Sequence, residues 1–100
     1  VHGDQVKVII QFAYRSHIPT GVPQVDCRSI RNPFRRVLTS EKMRSEVHAS
    51  PVFGALVKQG VGLLEIYDTI AVGCTWGQHR SGAVAEEIAR QTGARIERLT

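Results

Sequence analysis

The sequence predicts an α/β fold: one small domain with a partly parallel sheet, ending in a βαβ unit that carries an anion-binding loop. Three observations predict it. Val6–Tyr14 (VKVIIQFAY) is a short apolar run with β-branched and aromatic members, the pattern of a buried or half-buried strand. The last third reads strand, loop, helix, strand over about 30 residues, which is the right-handed crossover of two parallel strands. The length of 100 residues, 42% of them hydrophobic, suffices for one core and not for two.

In chain order, Pro19, Gly21 and Pro23 punctuate a loop after the first strand, and Val25–Ser29 is a second short strand ended by Asn32-Pro33. Thr39–Ala49 is polar, with Glu41 and Glu46, and reads as a helix with an acidic first turn. Ser50-Pro51 looks like an N-cap followed by proline at the first helical position. That helix either stops at Gly60 or continues through VGLLE, and Val52, Phe53, Leu56, Leu63 and Leu64 are its core candidates. Asp68–Cys74 is the next strand. From Ser81 onward Val84 and Ile88 share one helical face, Gly93 is a natural C-terminal cap, and Ala94–Leu99 alternates like a strand.

Composition excludes several classes. No apolar stretch approaches the roughly 20 residues of a membrane-spanning helix, and Val1–Lys7 lacks the apolar core of a signal peptide. Opening at Val1 without methionine suits a domain excised from something longer. Cys27 and Cys74 are too few for a disulfide scaffold, which favours a reducing, cytoplasmic setting. His2, His17 and His48 show no ligand spacing with either cysteine, so neither a metal nor a cofactor is expected. The net charge of +4 is local: residues 1–40 hold six basic and two acidic side chains, whereas residues 41–100 hold seven of each. Ten of the 13 basic residues are arginine, whose planar fork suits phosphate and carboxylate.

Residues 73–81 (GCTWGQHRS) lie between a strand and the start of its helix, where an open α/β sheet places ligands. The helix start offers unpaired N–H groups, Gly77 lets the backbone turn them inward, Thr75 and Ser81 add hydroxyls, and Arg80 and His79 add charge. These features point to a phosphate, although an ordinary polar loop with a buried Cys74 and a solvent-facing Arg80 would contain the same residue types. Two resemblances compete for the loop. Its C-x5-R-S spacing resembles the signature loop of Cys-based protein tyrosine phosphatases. That resemblance implies Cys74 as nucleophile, Arg80 as the phosphate clamp and an aspartic acid as proton donor. Gly73 stands where that family usually has His. Of the candidate acids, Asp68 sits at the wrong end of its strand and Asp26 in no familiar acid loop.

The second resemblance draws on more of the chain. Phe12–Pro19 (FAYRSHIP), Val25-Asp26-Cys27-Arg28 with Asn32-Pro33, the loop Gly73–Ser81 with Val84-Ala85-Glu86 after it, and Ile96–Leu99 resemble, in the same order, segments of the C-terminal domain of the RNase adapter RapZ family. On this reading residues 1–100 form a single RapZ C-terminal-like domain. The family's nucleotide-binding N-terminal domain is not within it, since no G-x-x-x-x-G-K-[ST] occurs. The resemblance implies a non-catalytic sensor of an amino sugar phosphate such as glucosamine-6-phosphate, which also contacts small RNA and helps present it to a ribonuclease. A homo-oligomer is compatible with it and membrane attachment is not expected. By position, Thr75, Trp76, Gly77, His79, Arg80 and Ser81 would hold the phosphate, with Arg15, Asp26, Arg28 and Asn32 completing the pocket. Arg28, Arg31, Arg35 and Arg36 form a basic stretch that is either an RNA surface, with Phe34 and Trp76 as stacking platforms, or a solvated loop. An RNA-binding module without a small ligand is a third reading. Trp76 departs from the family, which has glycine there, and the family's basic C-terminal tail has no counterpart before Thr100.

Overall fold

The computed structural model describes residues 6–30 and 40–99. Its elements are β1 (Val8–Ala13), β2 (Gln24–Asp26), a 3-10 turn (Cys27–Ser29), α1 (Ser40–His48), α2 (Phe53–Ile66), β3 (Thr69–Cys74), α3 (His79–Thr92) and β4 (Arg95–Arg98). The four strands form one sheet in the order β2-β3-β1-β4, and every pair is parallel. The expected partly parallel sheet is thus wholly parallel among the described strands. β1 is in register with β3 from Val8 opposite Thr69 to Ala13 opposite Cys74, and β2 ends with Asp26 opposite Gly73.

The connections β2 to β3 and β3 to β4 run the same way across the sheet. Right-handed crossovers therefore place α1, α2 and α3 on one face. Ile9, Val25, Ile70, Val72 and Cys74 point into that layer and pack with Val47, Val57, Leu64, Val84 and Ile88. Each such buried aliphatic side chain contributes about 1.5–3 kcal/mol of transfer free energy. On the opposite face Phe12 and Ala71 are also fully buried. There Tyr14 meets the Phe12 ring edge-on at 4.7 Å, and a chain of hydrogen bonds from Tyr14 to Gln24 to the Pro19 carbonyl ties down the following connection.

The element boundaries shift for local reasons. The second strand stops at Asp26 because its carboxylate accepts the Arg28 N–H at 2.9 Å and Ile30 N–H returns to Cys27 O, closing the 3-10 turn. α2 begins at Phe53 and not at Pro51: Ser50 caps a preceding turn, its carbonyl accepting from Phe53 N–H at 3.1 Å. The same helix runs on through Gly60 to Ile66, because Gly60 lies against Ile88 of α3 and the missing side chain lets the two helices pack closely. α3 starts at His79, two residues before the expected position, and closes at Gly93 with φ of 78°. No helix among the described residues is long and apolar enough to cross a membrane.

Candidate functional site

β3 delivers Cys74 to the carboxyl edge of the sheet, between β1 and β2, and the loop 75–78 links it to α3. The carbonyls of this loop are bound on the β1 side. Tyr14 N–H donates to Cys74 O at 3.0 Å and Arg15 N–H to Thr75 O at 3.3 Å. The buried amide of Gln11 donates from Nε2 to Gly77 O at 2.9 Å and to Gln78 O at 3.3 Å. With the carbonyls held outward, N–H groups turn inward. Those of Gly77, Gln78 and Ser81 act on the Cys74 sulfur, with Ser81 N at 3.4 Å and the Ser81 hydroxyl at 3.3 Å. Gly77 permits this turn by adopting φ of 70° directly against the Ala13 backbone.

The result is a nest of donors around one thiol. Burial pushes the Cys74 pKa up, but the Ser81 hydroxyl and the amides of Ser81, Gln78 and Gly77 outweigh it, and the pKa falls below the ordinary thiol value. Cys27, also in the core, goes the other way: burial raises it strongly, and Cys74 and Asp26 add to the effect.

On the β2 side, Arg80 is buried and donates from Nη1 to Ile30 O at 3.1 Å and Arg28 O at 3.5 Å. It therefore pins the 3-10 turn to the start of α3 and does not face solvent. Asp26 and Arg28 form a forked ion pair, Nη2 to Oδ2 at 2.7 Å and Nε to Oδ1 at 3.0 Å, with the Arg28 guanidinium 3.8 Å above the Tyr14 ring. The Arg28 guanidinium holds the Asp26 carboxyl below the usual carboxylate range against the opposing effect of burial, and the charge of Arg80 adds to it. Asp26 is consequently ionised at neutral pH and has no proton to give a leaving group. Asp68, the other candidate acid, lies at the amino end of β3 and pairs with Lys7 at 3.1 Å.

The structure thus gathers Asp26, Arg28, Arg80 and Ser81 with Cys74. Arg15 stacks on the Trp76 ring at 3.9 Å on the loop's outer side, and Trp76 is half exposed, so its bulk is carried outside the loop. Among the described residues no side-chain-bearing residue has positive φ, so tryptophan in place of the family's glycine requires no backbone strain. Burial, then the charges of Arg44 and Arg98, hold the His79 pKa below the ordinary imidazole value. Asn32, Arg31, Phe34, Arg35 and Arg36 fall outside the described residues. Three contributors were missed from sequence: Gln11, Tyr14 and Arg44. Gln11 carried a signal, as the one polar residue inside VIIQFA at a core-facing position.

Gln11→Leu is expected to leave two loop carbonyls without their donor and to destabilise the fold by about 1–3 kcal/mol. Urea unfolding checks this, and unchanged stability would show that solvent replaces the amide.

Against this geometry, residues 52–99 match the family model described as the RapZ C-terminal domain. The chain belongs to the RapZ C-terminal domain family. Full-length relatives align over most of it. A nucleotide-binding protein (amb4396) of Paramagnetospirillum magneticum is 34% identical over 110 residues, covering 89% of this chain and 36% of the relative. A nucleotide-binding protein of Rubrobacter xylanophilus is 36% identical over 104 residues, 86% of this chain and 34% of the relative. One from Desulfitobacterium hafniense is 35% identical over 98 residues, 80% and 33% respectively. The chain spans about a third of the length of these curated relatives. No solved structure matches it. The RapZ-family match includes β3, the loop and α3, so the donor nest lies within the shared segment.

Proposed function

We propose that this domain binds a phosphorylated small molecule at the loop 74–81 without transforming it. An amino sugar phosphate such as glucosamine-6-phosphate is the ligand class favoured by the family resemblance. The carrying observation is the inward set of loop N–H groups, fixed by Gln11 and the β1 extension. Such a nest attracts an anion. Thr75 brings a hydroxyl to the same loop, and the Asp26–Arg28 pair supplies a carboxylate and a guanidinium for hydroxyl and amino groups. The names of the relatives as nucleotide-binding proteins agree with recognition of a phosphorylated ligand. Contact with small RNA, service as an RNase adapter and a cytoplasmic location are further parts of this reading, and they rest on the family resemblance.

The non-catalytic reading is supported by Asp26 being ionised and by Cys74, at 1% exposure, being closed off beneath the loop. Calorimetric titration with glucosamine-6-phosphate and with inorganic phosphate tests it. Binding at least tenfold weaker in Thr75→Ala is expected, and absence of heat with the wild type removes the sensor function. Turnover of an aryl phosphate that disappears in Cys74→Ser would establish a phosphatase instead.

A further inference from the structure

Two buried thiols take no chemical part in the binding proposed above. Cys27 opens the 3-10 turn after β2, and Cys74 ends β3. Both are unbonded. β2 and β3 are parallel neighbours with Asp26 opposite Gly73, so the next pair in that register is Cys27 beside Cys74. Their side chains join the same core cluster as Val25 and Val72, the pair two residues earlier and hence on the same face of the sheet. Adjacent strands run about 4.8 Å apart, and a disulfide accepts Cα separations of roughly 4.4–6.8 Å. In-register neighbours on one face thus meet the first requirement for a bond between their sulfurs. The electrostatics agree: after burial, Cys74 is the strongest influence on the ionisation of Cys27.

The two sulfurs are unequal. Cys74 sits at the carboxyl edge of the sheet under the loop 75–78, where the Ser81 N–H at 3.4 Å and hydroxyl at 3.3 Å favour its thiolate. Cys27 is fully buried, its Sγ–H directed to Val25 O at 3.9 Å, and burial keeps it a thiol. A stabilised thiolate beside a protonated partner is the pairing of an attacking and a resolving cysteine.

We propose that Cys27 and Cys74 form a reversible intramolecular disulfide when the protein meets hydrogen peroxide. The Cys74 thiolate attacks one peroxide oxygen and the O–O bond breaks. Cys74 becomes a sulfenic acid, and the departing hydroxide takes up the proton lost from the thiol and leaves as water. Cys27 then attacks the sulfenic sulfur: the S–S bond forms, the S–O bond breaks, and the hydroxyl leaves with the Cys27 proton as a second water. The two thiols lose two electrons in all, and one peroxide gains them. Hydrogen peroxide is little larger than water, so it passes a loop that is closed to a phosphate ester. The bond ties the 3-10 turn to β3 at the base of the loop and replaces an ionisable sulfur in the donor nest with a neutral one. A reducing thiol reverses it. The bond stands whether or not the loop holds a ligand.

The test exposes the full chain, purified in its reduced form, to millimolar hydrogen peroxide and follows the intact mass. Loss of two hydrogen masses, restored by dithiothreitol, is expected in the wild type. Trypsin should then release residues 16–28 joined to residues 59–80, at least tenfold more abundant than from untreated protein. Cys27→Val is expected to lose the cross-link and to carry a dimedone-reactive sulfenic acid on Cys74. If that variant fails to fold, the joined peptides of the wild type decide alone. An unchanged mass, oxygen added to Cys74 without a cross-link, or a cross-link only between two chains would overturn the proposal.

Discussion

Gly77→Ala is expected to abolish phosphate binding at the loop and to cost at least about 2 kcal/mol of stability. Two costs add at this position. Gly77 sits at φ of 70°, which penalises any L side chain by roughly 1–2 kcal/mol. A β-carbon would also lie 2.9 Å from the Ala13 nitrogen and 3.0 Å from its Cα, and a backbone atom of a central strand does not swing aside as a side chain tip does. The loop must therefore lift off β1, releasing the Gly77 and Gln78 carbonyls from Gln11 and turning the N–H groups away from their common centre. Thermal unfolding and phosphate calorimetry on the same preparation check both halves. Retained binding at wild-type affinity would mean that the loop donors do not hold the anion.

Gly73→Ala is expected to destabilise the fold by about 3 kcal/mol, at the upper end for overpacking a core. The added β-carbon would enter the Phe12 ring, within 2.5 Å of Cε1 and 2.6 Å of Cε2. Phe12 is itself fully buried and backed by Tyr14, so the ring has nowhere to retreat. Chemical denaturation measures the loss. The paired variant Gly73→Ala/Phe12→Leu should recover at least about 1 kcal/mol relative to additivity, because the two changes relieve the same contact. Strict additivity would show that the ring is not the obstacle. This contact also explains why glycine occupies a position that is usually His in tyrosine phosphatases: no imidazole fits under Phe12.

Much of the fold was legible because it is encoded locally. The apolar run around Ile9 and Ile10, the helical spacing of Val84 and Ile88 and the glycine at position 93 each carry their own signal, and the structure places β1, α3 and its cap accordingly. The start of α2 was misjudged because Ser50-Pro51 satisfies the rules for a cap but serves a preceding turn. Its length was ambiguous because glycine weakens a helix, and Gly60 is tolerated only where Ile88 of another helix needs the space. At the site, the sequence identified the loop but not its supports. Gln11 lies 66 residues from Gly77, and Arg44 reaches α3 from a different helix.

By itself, then, the sequence determined that this is a small α/β domain with a glycine-bearing loop between its third strand and last helix, because strand period, helix period and glycine placement are local properties. Only the tertiary structure decided where the charged side chains went. Arg80 looked like an open clamp and is spent on the carbonyls of Arg28 and Ile30. Asp26, a candidate acid in no familiar acid loop, is held ionised by Arg28. His79, adjacent to Arg80 in sequence, has its pKa lowered by burial and by the charges of the distant Arg44 and Arg98. The physical reason is that a charge in or near a core must find partners, and which partners are within reach depends on how distant strands and helices pack.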